Sequence, residues 1–289
     1  MQKFKKIYFE IGNTCNLQCT FCPVVERDGQ KVSLTQAQEV FRKIKPFTER
    51  VCLHLMGEPL LHSDFPKLVE LAKEEEIALE ITTNGTLLNA QTSAALLQPS
   101  VHQVNFSLQS FADNYPDANP LSYFHKLLAF VDRAQVERPD LYVNFRLWNQ
   151  TQTAKEDEEN EQFLSLLESH YQIAINRRID PRLTKSKNLL GRVYLHYDTR
   201  FDWPSLQSPS FGTQGTCWGT RSQIGIHADG TIVPCCLDKE AEIPLGNIFQ
   251  TDLAAVLSTE KYQAIRTGFE RGERVEKLCQ HCQFATRFS

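Results

Sequence analysis

No stretch of the 289-residue sequence stays apolar for the roughly 20 residues that a membrane-spanning helix requires, which excludes a helical membrane protein. No run of Lys and Arg is long enough to track a phosphate backbone, and the net charge is −4, so nucleic acid is not expected as a partner. The opening MQKFKKIYFE lacks the apolar core of a secretory signal, and a cytoplasmic location is the expectation. Low-complexity segments are absent, and the acidic run KEDEENE at 155–161 reads as a solvated helix start. With 41% hydrophobic and 23% charged residues the chain can bury a sizeable core, as about two domains or one large α/β domain with an appendage.

Short apolar runs alternate with segments of helical period, the signature of repeated βα units and a parallel sheet. Strands are predicted at 6–11, 51–55, 78–82, 103–108, 142–147 and 172–175. Between the first two, Leu34, Ala37, Val40, Phe41 and Ile44 share one helix face and Ser33 can cap its start. The next helix buries Phe65, Leu68, Val69 and Ala72; later ones begin near Asn89, Pro120 and Glu156. Six units are two short of a closed eight-stranded barrel, so the expected fold is a partial (β/α)6 TIM-like barrel; an open doubly wound sheet fits the same pattern. The expected division is a core over 1–180, a connecting region over 181–216 and a small carboxyl-terminal domain over 217–289. That last domain is read as a β-hairpin turning at Asp229-Gly230 and a helix near 253–269.

Nine cysteines in a chain without a signal peptide point to metal, cluster or redox duty rather than disulfides. In EIGNTCNLQCTFCP, Cys15, Cys19 and Cys22 stand within eight positions and have no fourth cysteine near them. A structural zinc site would need four protein ligands. Three thiolates can instead hold three irons of a 4Fe-4S cube and leave the fourth iron open to a substrate or cosubstrate.

CNLQCTFC directly after a first strand resembles the cluster motif of the radical S-adenosylmethionine (radical SAM) superfamily. The resemblance implies that Cys15, Cys19 and Cys22 are catalytic cluster ligands. It also implies that the loop LMGEPLLH, where Met56 replaces the family's first glycine and Gly57, Glu58 and Pro59 match, holds the SAM amine. Thr83 and Asn84 in ITTNGTLL would lie near SAM, although Asn84-Gly85 also reads as a type I′ turn. Ser107 in VNFSLQS matches a position whose hydroxyl meets SAM, and Arg146 in VNFRLWN matches a carboxylate partner. Adenine contacts would come from backbone near Phe21. All these positions sit at or near the carboxyl ends of different predicted strands, which meet on one face of a parallel barrel.

Spacing alone lets Cys217, Cys235, Cys279 and Cys282 bind either zinc or a second cube. DGTIVPCC, LGNIF and CQHC resemble the SPASM and twitch extensions of radical SAM enzymes, and imply one auxiliary 4Fe-4S cluster on those four residues. Cys236 reads as a packed thiol, an alternative ligand or a hydrogen-atom donor, Cys52 as core or, in an epimerase, as the other candidate donor, and His281 as exposed or as support for the ligands. The implied function is reductive cleavage of SAM to a 5′-deoxyadenosyl radical that abstracts a substrate hydrogen atom, in a dehydrogenase-type oxidoreductase. An epimerase and a peptide-modifying enzyme are the alternatives within the family. The expected partners are a small molecule or short peptide as substrate and an electron donor such as flavodoxin or ferredoxin. A zinc-binding interaction protein is the rival from another class, and a family member that binds cluster and SAM without turnover is the third reading.

Overall fold

In the segment Lys6–Phe9, Ile7 and Phe9 are buried while Lys6 and Tyr8 are half-exposed, the period of two that defines a strand. A computed structural model of the chain describes residues 2–150, 154–177, 179–181 and 183–288. Elements alternate as β1 (Lys6–Phe9), α1 (Leu34–Ile44), β2 (Arg50–Cys52), α2 (Phe65–Glu74), β3 (Ala78–Thr83), α3 (Ala90–Leu96) and β4 (Val101–Ser107). The chain continues through α4 (Leu108–Asn114), α5 (Leu121–Glu137), β5 (Tyr142–Leu147), α6 (Ala154–Tyr171), β6 (Ser186–Leu190) and β7 (Val193–Tyr197). The last elements are β8 (Gln223–Ile226), β9 (Thr231–Val233), β10 (Gly246–Asn247), α7 (Leu253–Leu257), α8 (Glu260–Glu270) and α9 (Lys277–Gln280).

The chain divides into two units, one made of Met1–Cys15, Cys22–Leu79 and Phe201–Ser289, the other of Asn16–Phe21 and Glu80–Arg200. In the first unit the strand order is β10-β9-β8-β1-β2. Strand β1 is parallel to both β2 and β8, with Ile7 opposite Val51 and Ile224. Ser33 caps α1 through a capping box with Gln36, and the buried face Ala37, Val40, Phe41 and Ile44 packs against the sheet, Phe41 meeting Phe9 edge-on at 5.9 Å. The β8-β9 hairpin turns at Asp229-Gly230 as expected, Gly230 adopting φ +87°. The helix expected near 253–269 is two, α7 and α8, because Thr259 accepts from the Tyr262 N–H and starts a new helix.

In the second unit the order runs from β3 through β4 and β5 to β7 and β6, with β4, β5 and β7 mutually parallel. Phe106, Phe124, Phe130, Phe145 and Phe163 form its aromatic core. The strand expected at 172–175 is not one. Gln172 takes φ +53° and Ile175 donates its N–H to the Glu168 carboxylate at 2.6 Å, so this stretch closes α6. The strand parallel to β5 is instead β7, reached through the β6-β7 hairpin, both inside the stretch read as connecting region. The fold is mixed α/β on a parallel sheet.

Candidate functional site

The loop after β2 is shaped by its approach to the segment before Cys15. Gly57 has φ +79°, and a Cβ there would collide with Gly12 O and lie 2.9 Å from Thr14 O, so the position admits only glycine. Glu58 donates its N–H to Thr14 O at 2.9 Å, which ties the loop to the residue preceding Cys15. The buried Glu58 carboxylate accepts from Leu60 N at 2.9 Å and caps the short 3-10 turn Pro59–Leu61; Met56 and Pro59 are buried beside it. Cys15 and Cys22 are exposed.

The second unit holds the middle of the cysteine motif. Thr20 donates its N–H and hydroxyl to the Asp113 carboxylate, both at 2.6 Å, and Gln18 N–H donates to Asn114 Oδ1 at 2.8 Å. Asn114 Nδ2 donates to Cys19 Sγ at 3.1 Å. The end of α4 therefore grips residues 18–20 and places a donor on the Cys19 sulfur. Arg200 lies 5.3 Å over the Phe21 ring and 3.6 Å from Asp113.

Asn84 Oδ1 accepts from Thr86 N–H at 2.9 Å, and its Nδ2 donates to Asn16 Oδ1 at 3.0 Å. Its backbone is not left-handed, so Asn84-Gly85 is not a type I′ turn; Thr83 Oγ1 accepts from Gly85 N–H at 3.0 Å. Asn84 thus reaches the cysteine motif directly. Ser107 on β4 is in register with Arg146 on β5, and Arg146 with His196 on β7, which sets three polar side chains in one row across parallel strands. The Arg146 guanidinium sits 4.5 Å from the Trp148 ring centre, and Trp148 Nε1 donates to His196 Nδ1 at 2.9 Å.

The carboxyl-terminal cysteines converge. Burial pushes the Cys235 thiol well up, and the nearby Cys236, Cys217, Cys279 and Cys282 add to the shift. Burial likewise raises Cys217, Cys279 and Cys282, and Cys279 and Cys282 each feel Cys217. Cys282 is buried and the other three are half-buried; sulfurs this close suit a cationic group between them, since four bare thiolates would repel one another. Sulfur-directed donors accompany them: Gly219 N–H meets Cys217 Sγ at 3.5 Å, and the buried Arg274 lies close enough to Cys217 and Cys282 to favour their thiolates. Among the described residues no three His, Cys, Asp or Glu side chains close at the spacing of one bound ion, so this grouping rests on burial and mutual electrostatics.

Cys236 lies beside the set: burial raises its thiol to about 11 and the Tyr8 hydroxyl hydrogen-bonds its sulfur. Cys52 is core, 2% exposed, and the half-buried His281 donates from Nδ1 to Ser208 O at 2.5 Å. Glu10, Arg27, Asp113, Asn114 and Arg274 escaped sequence reasoning. Only Glu10 carried a signal, an acidic residue inside the apolar run Ile7 to Ile11.

The model of the radical SAM superfamily matches residues 9–147, and that of the SPASM iron-sulfur cluster-binding domain matches 217–283. A probable GTP 3′,8-cyclase of Methanococcus maripaludis (strain C6) is 31% identical over 113 residues, 38% of this chain and 38% of the relative. A tungsten-containing aldehyde ferredoxin oxidoreductase cofactor-modifying protein of Pyrococcus furiosus is 29% identical over 46% of this chain and 38% of its own. The chain thus spans well under half the length of these curated relatives. Among solved structures, BtrN in complex with AdoMet and 2-DOIA superposes with TM-score 0.59 at 15% identity, covering 98% of this chain and 94% of BtrN. SuiB of Streptococcus suis bound to S-adenosylmethionine superposes with TM-score 0.62 at 16% identity, covering 92% of this chain and 66% of SuiB. At these identities the likeness is one of fold. No helix among the described residues is long and apolar enough to cross a membrane.

Proposed function

Since this chain belongs to the radical SAM superfamily and carries a SPASM iron-sulfur domain, we propose that it is a dehydrogenase-type oxidoreductase acting on a small molecule or short peptide. When bound, the first 4Fe-4S cluster and SAM supply a 5′-deoxyadenosyl radical that takes a hydrogen atom from substrate. Cys15, Cys19 and Cys22 would hold that cluster, with Asn114 donating to the Cys19 sulfur and Asp113 fixing the backbone at Thr20. Gly57 lets its loop close onto the backbone before Cys15, and Glu58 would lend a carboxylate to the SAM amine. Asn84 is a positioning residue that orients Asn16, whereas Ser107 and Arg146 offer a hydroxyl and a guanidinium to SAM oxygens.

The observation that carries the oxidoreductase reading is the grouping of Cys217, Cys235, Cys279 and Cys282: Gly219 touches both Cys217 and Cys235, and Cys235 feels the charge of the other three. Four protein sulfurs satisfy a cube completely, which suits electron uptake from substrate rather than substrate binding. A redox protein of the flavodoxin or ferredoxin kind would supply the reducing electron. Cys236, with Tyr8 on its sulfur, favours one second reading, an epimerase in which its S–H returns a hydrogen atom to the substrate carbon.

Anaerobic reconstitution with dithionite and SAM tests both readings. The expected result is a brown protein with about eight irons per chain and 5′-deoxyadenosine release, falling to about four irons and no release when Cys15, Cys19 and Cys22 are replaced by Ala. An oxidised product supports the dehydrogenase, and solvent deuterium at carbon supports the epimerase. A colourless protein holding zinc rejects both.

A further inference from the structure

Glu10 directly follows β1 and is 0% exposed, although its side chain is a carboxylic acid. Its carboxylate receives a two-pronged contact from Arg27, Nη1 to Oε1 and Nη2 to Oε2, each 2.9 Å. The same two oxygens accept from Met56 N–H and Ala228 N–H, each at 3.3 Å. One carboxylate thereby joins the loop after Cys22, the loop that presents Gly57, and the exit of β8. Arg27 also donates Nε to Lys239 O at 2.6 Å. Around it, Glu26 N–H donates to Glu240 Oε1 at 2.9 Å and Lys239 Nζ donates to Val24 O at 2.9 Å. Segment 24–27 begins two residues after Cys22, and segment 239–240 begins four residues after Cys235. The second segment is itself held firmly, because the buried Asp238 carboxylate accepts from Glu242 N–H at 2.8 Å and Ile243 N–H at 2.9 Å.

We propose that Arg27 is a positioning residue that couples the two iron-sulfur loops, so that order in the loop after Cys22, and with it SAM binding at the first cluster, depends on an assembled auxiliary site. The inference rests on the cluster assignments above. Its physical basis is that a guanidinium fork uses three of its donors at fixed angles, so Glu10 and Lys239 O can be satisfied together only while the 239–240 backbone keeps its place. Lysine at this position keeps the charge but loses the fork.

The test uses the full chain, reconstituted anaerobically, as wild type, Arg27→Gln, Arg27→Lys and Cys235→Ala. Three readouts are taken: iron per chain, the SAM-induced change in the electron paramagnetic resonance of the first cluster, and hydrogen exchange over residues 22–31. Both Arg27 variants are expected to keep the auxiliary cluster signal, to bind SAM about 10–100-fold more weakly, and to exchange faster over 22–31. Cys235→Ala is expected to speed exchange over 22–31 with the first motif untouched. Should Arg27→Gln fail to fold, Arg27→Lys carries the same readouts. Variants that match a loaded wild type in SAM affinity and exchange overturn the coupling alone. A wild type that takes up no iron overturns the cluster assignments and the coupling with them.

Discussion

At Gly57 a single methyl group would meet backbone on two sides, Gly12 O and Thr14 O, neither of which can swing away as a side chain end does. Gly57→Ala is therefore expected to destabilise the protein by about 1–3 kcal/mol and to weaken SAM binding. Gly212 provides the control, being left-handed at φ +84° with open space around it, so Gly212→Ala should cost only the backbone strain of about 1–2 kcal/mol and leave SAM binding alone. Urea midpoints and equilibrium dialysis of SAM on the reconstituted protein check both. Glu58 shows why a motif residue has two duties: one of its oxygens already caps the Pro59–Leu61 turn, so its removal disturbs the loop as well as any ammonium it faces.

At the scale of elements, helix α4 is only seven residues long, yet its last two side chains fix the middle of the cysteine motif. Asp113→Ala removes two acceptors from Thr20. It is expected to lower iron affinity at the first cluster about 10–100-fold while the auxiliary cluster stays loaded, as measured by iron content and the first cluster's spectrum. The sequence made the cysteine triad, Gly57 and the Asp229-Gly230 hairpin legible, because each depends on a local backbone or ligand requirement. It did not reveal Asp113 and Asn114, which meet residues 18–20 only through tertiary packing some 95 positions away. Strand β7 was missed for a different reason. Val193, Leu195 and Tyr197 alternate with half-exposed partners, but the run sits behind a glycine turn in a stretch whose Ser, Pro and Gly content masks it. The run at 172–175 has the same short apolar look and lost to the Glu168 carboxylate, which turns the chain instead.

At the scale of the whole molecule, acid sensitivity follows from two buried imidazoles. Burial holds both His62 and His227 below the usual 6.5; His62 donates Nε2 to Val32 O at 2.9 Å and accepts Asp64 N–H on Nδ1 at 3.1 Å. The folded state thus prefers neutral rings, whereas the unfolded chain takes up protons below 6.5. Their stabilisation is fully present above that value and drains away as the pH falls toward the lowered folded-state values. His62→Gln is expected to flatten part of that decline in urea midpoints below pH 6.5, and His227 contributes another part. If the profile keeps its slope, the burial of His62 does not govern it.

The pairing of β1 with β8 sets a timetable for biogenesis. Lys6 and its register partner Gln223 are 217 positions apart, so at about 5–20 residues per second the ribosome needs roughly 10–40 seconds between making one and the other. During that interval one hydrogen-bonding edge of the opening strand has no neighbour, a sticky ribbon that nascent-chain chaperones must shield. The setting around the early thiols accordingly closes only once the strand at 223–226 has been made.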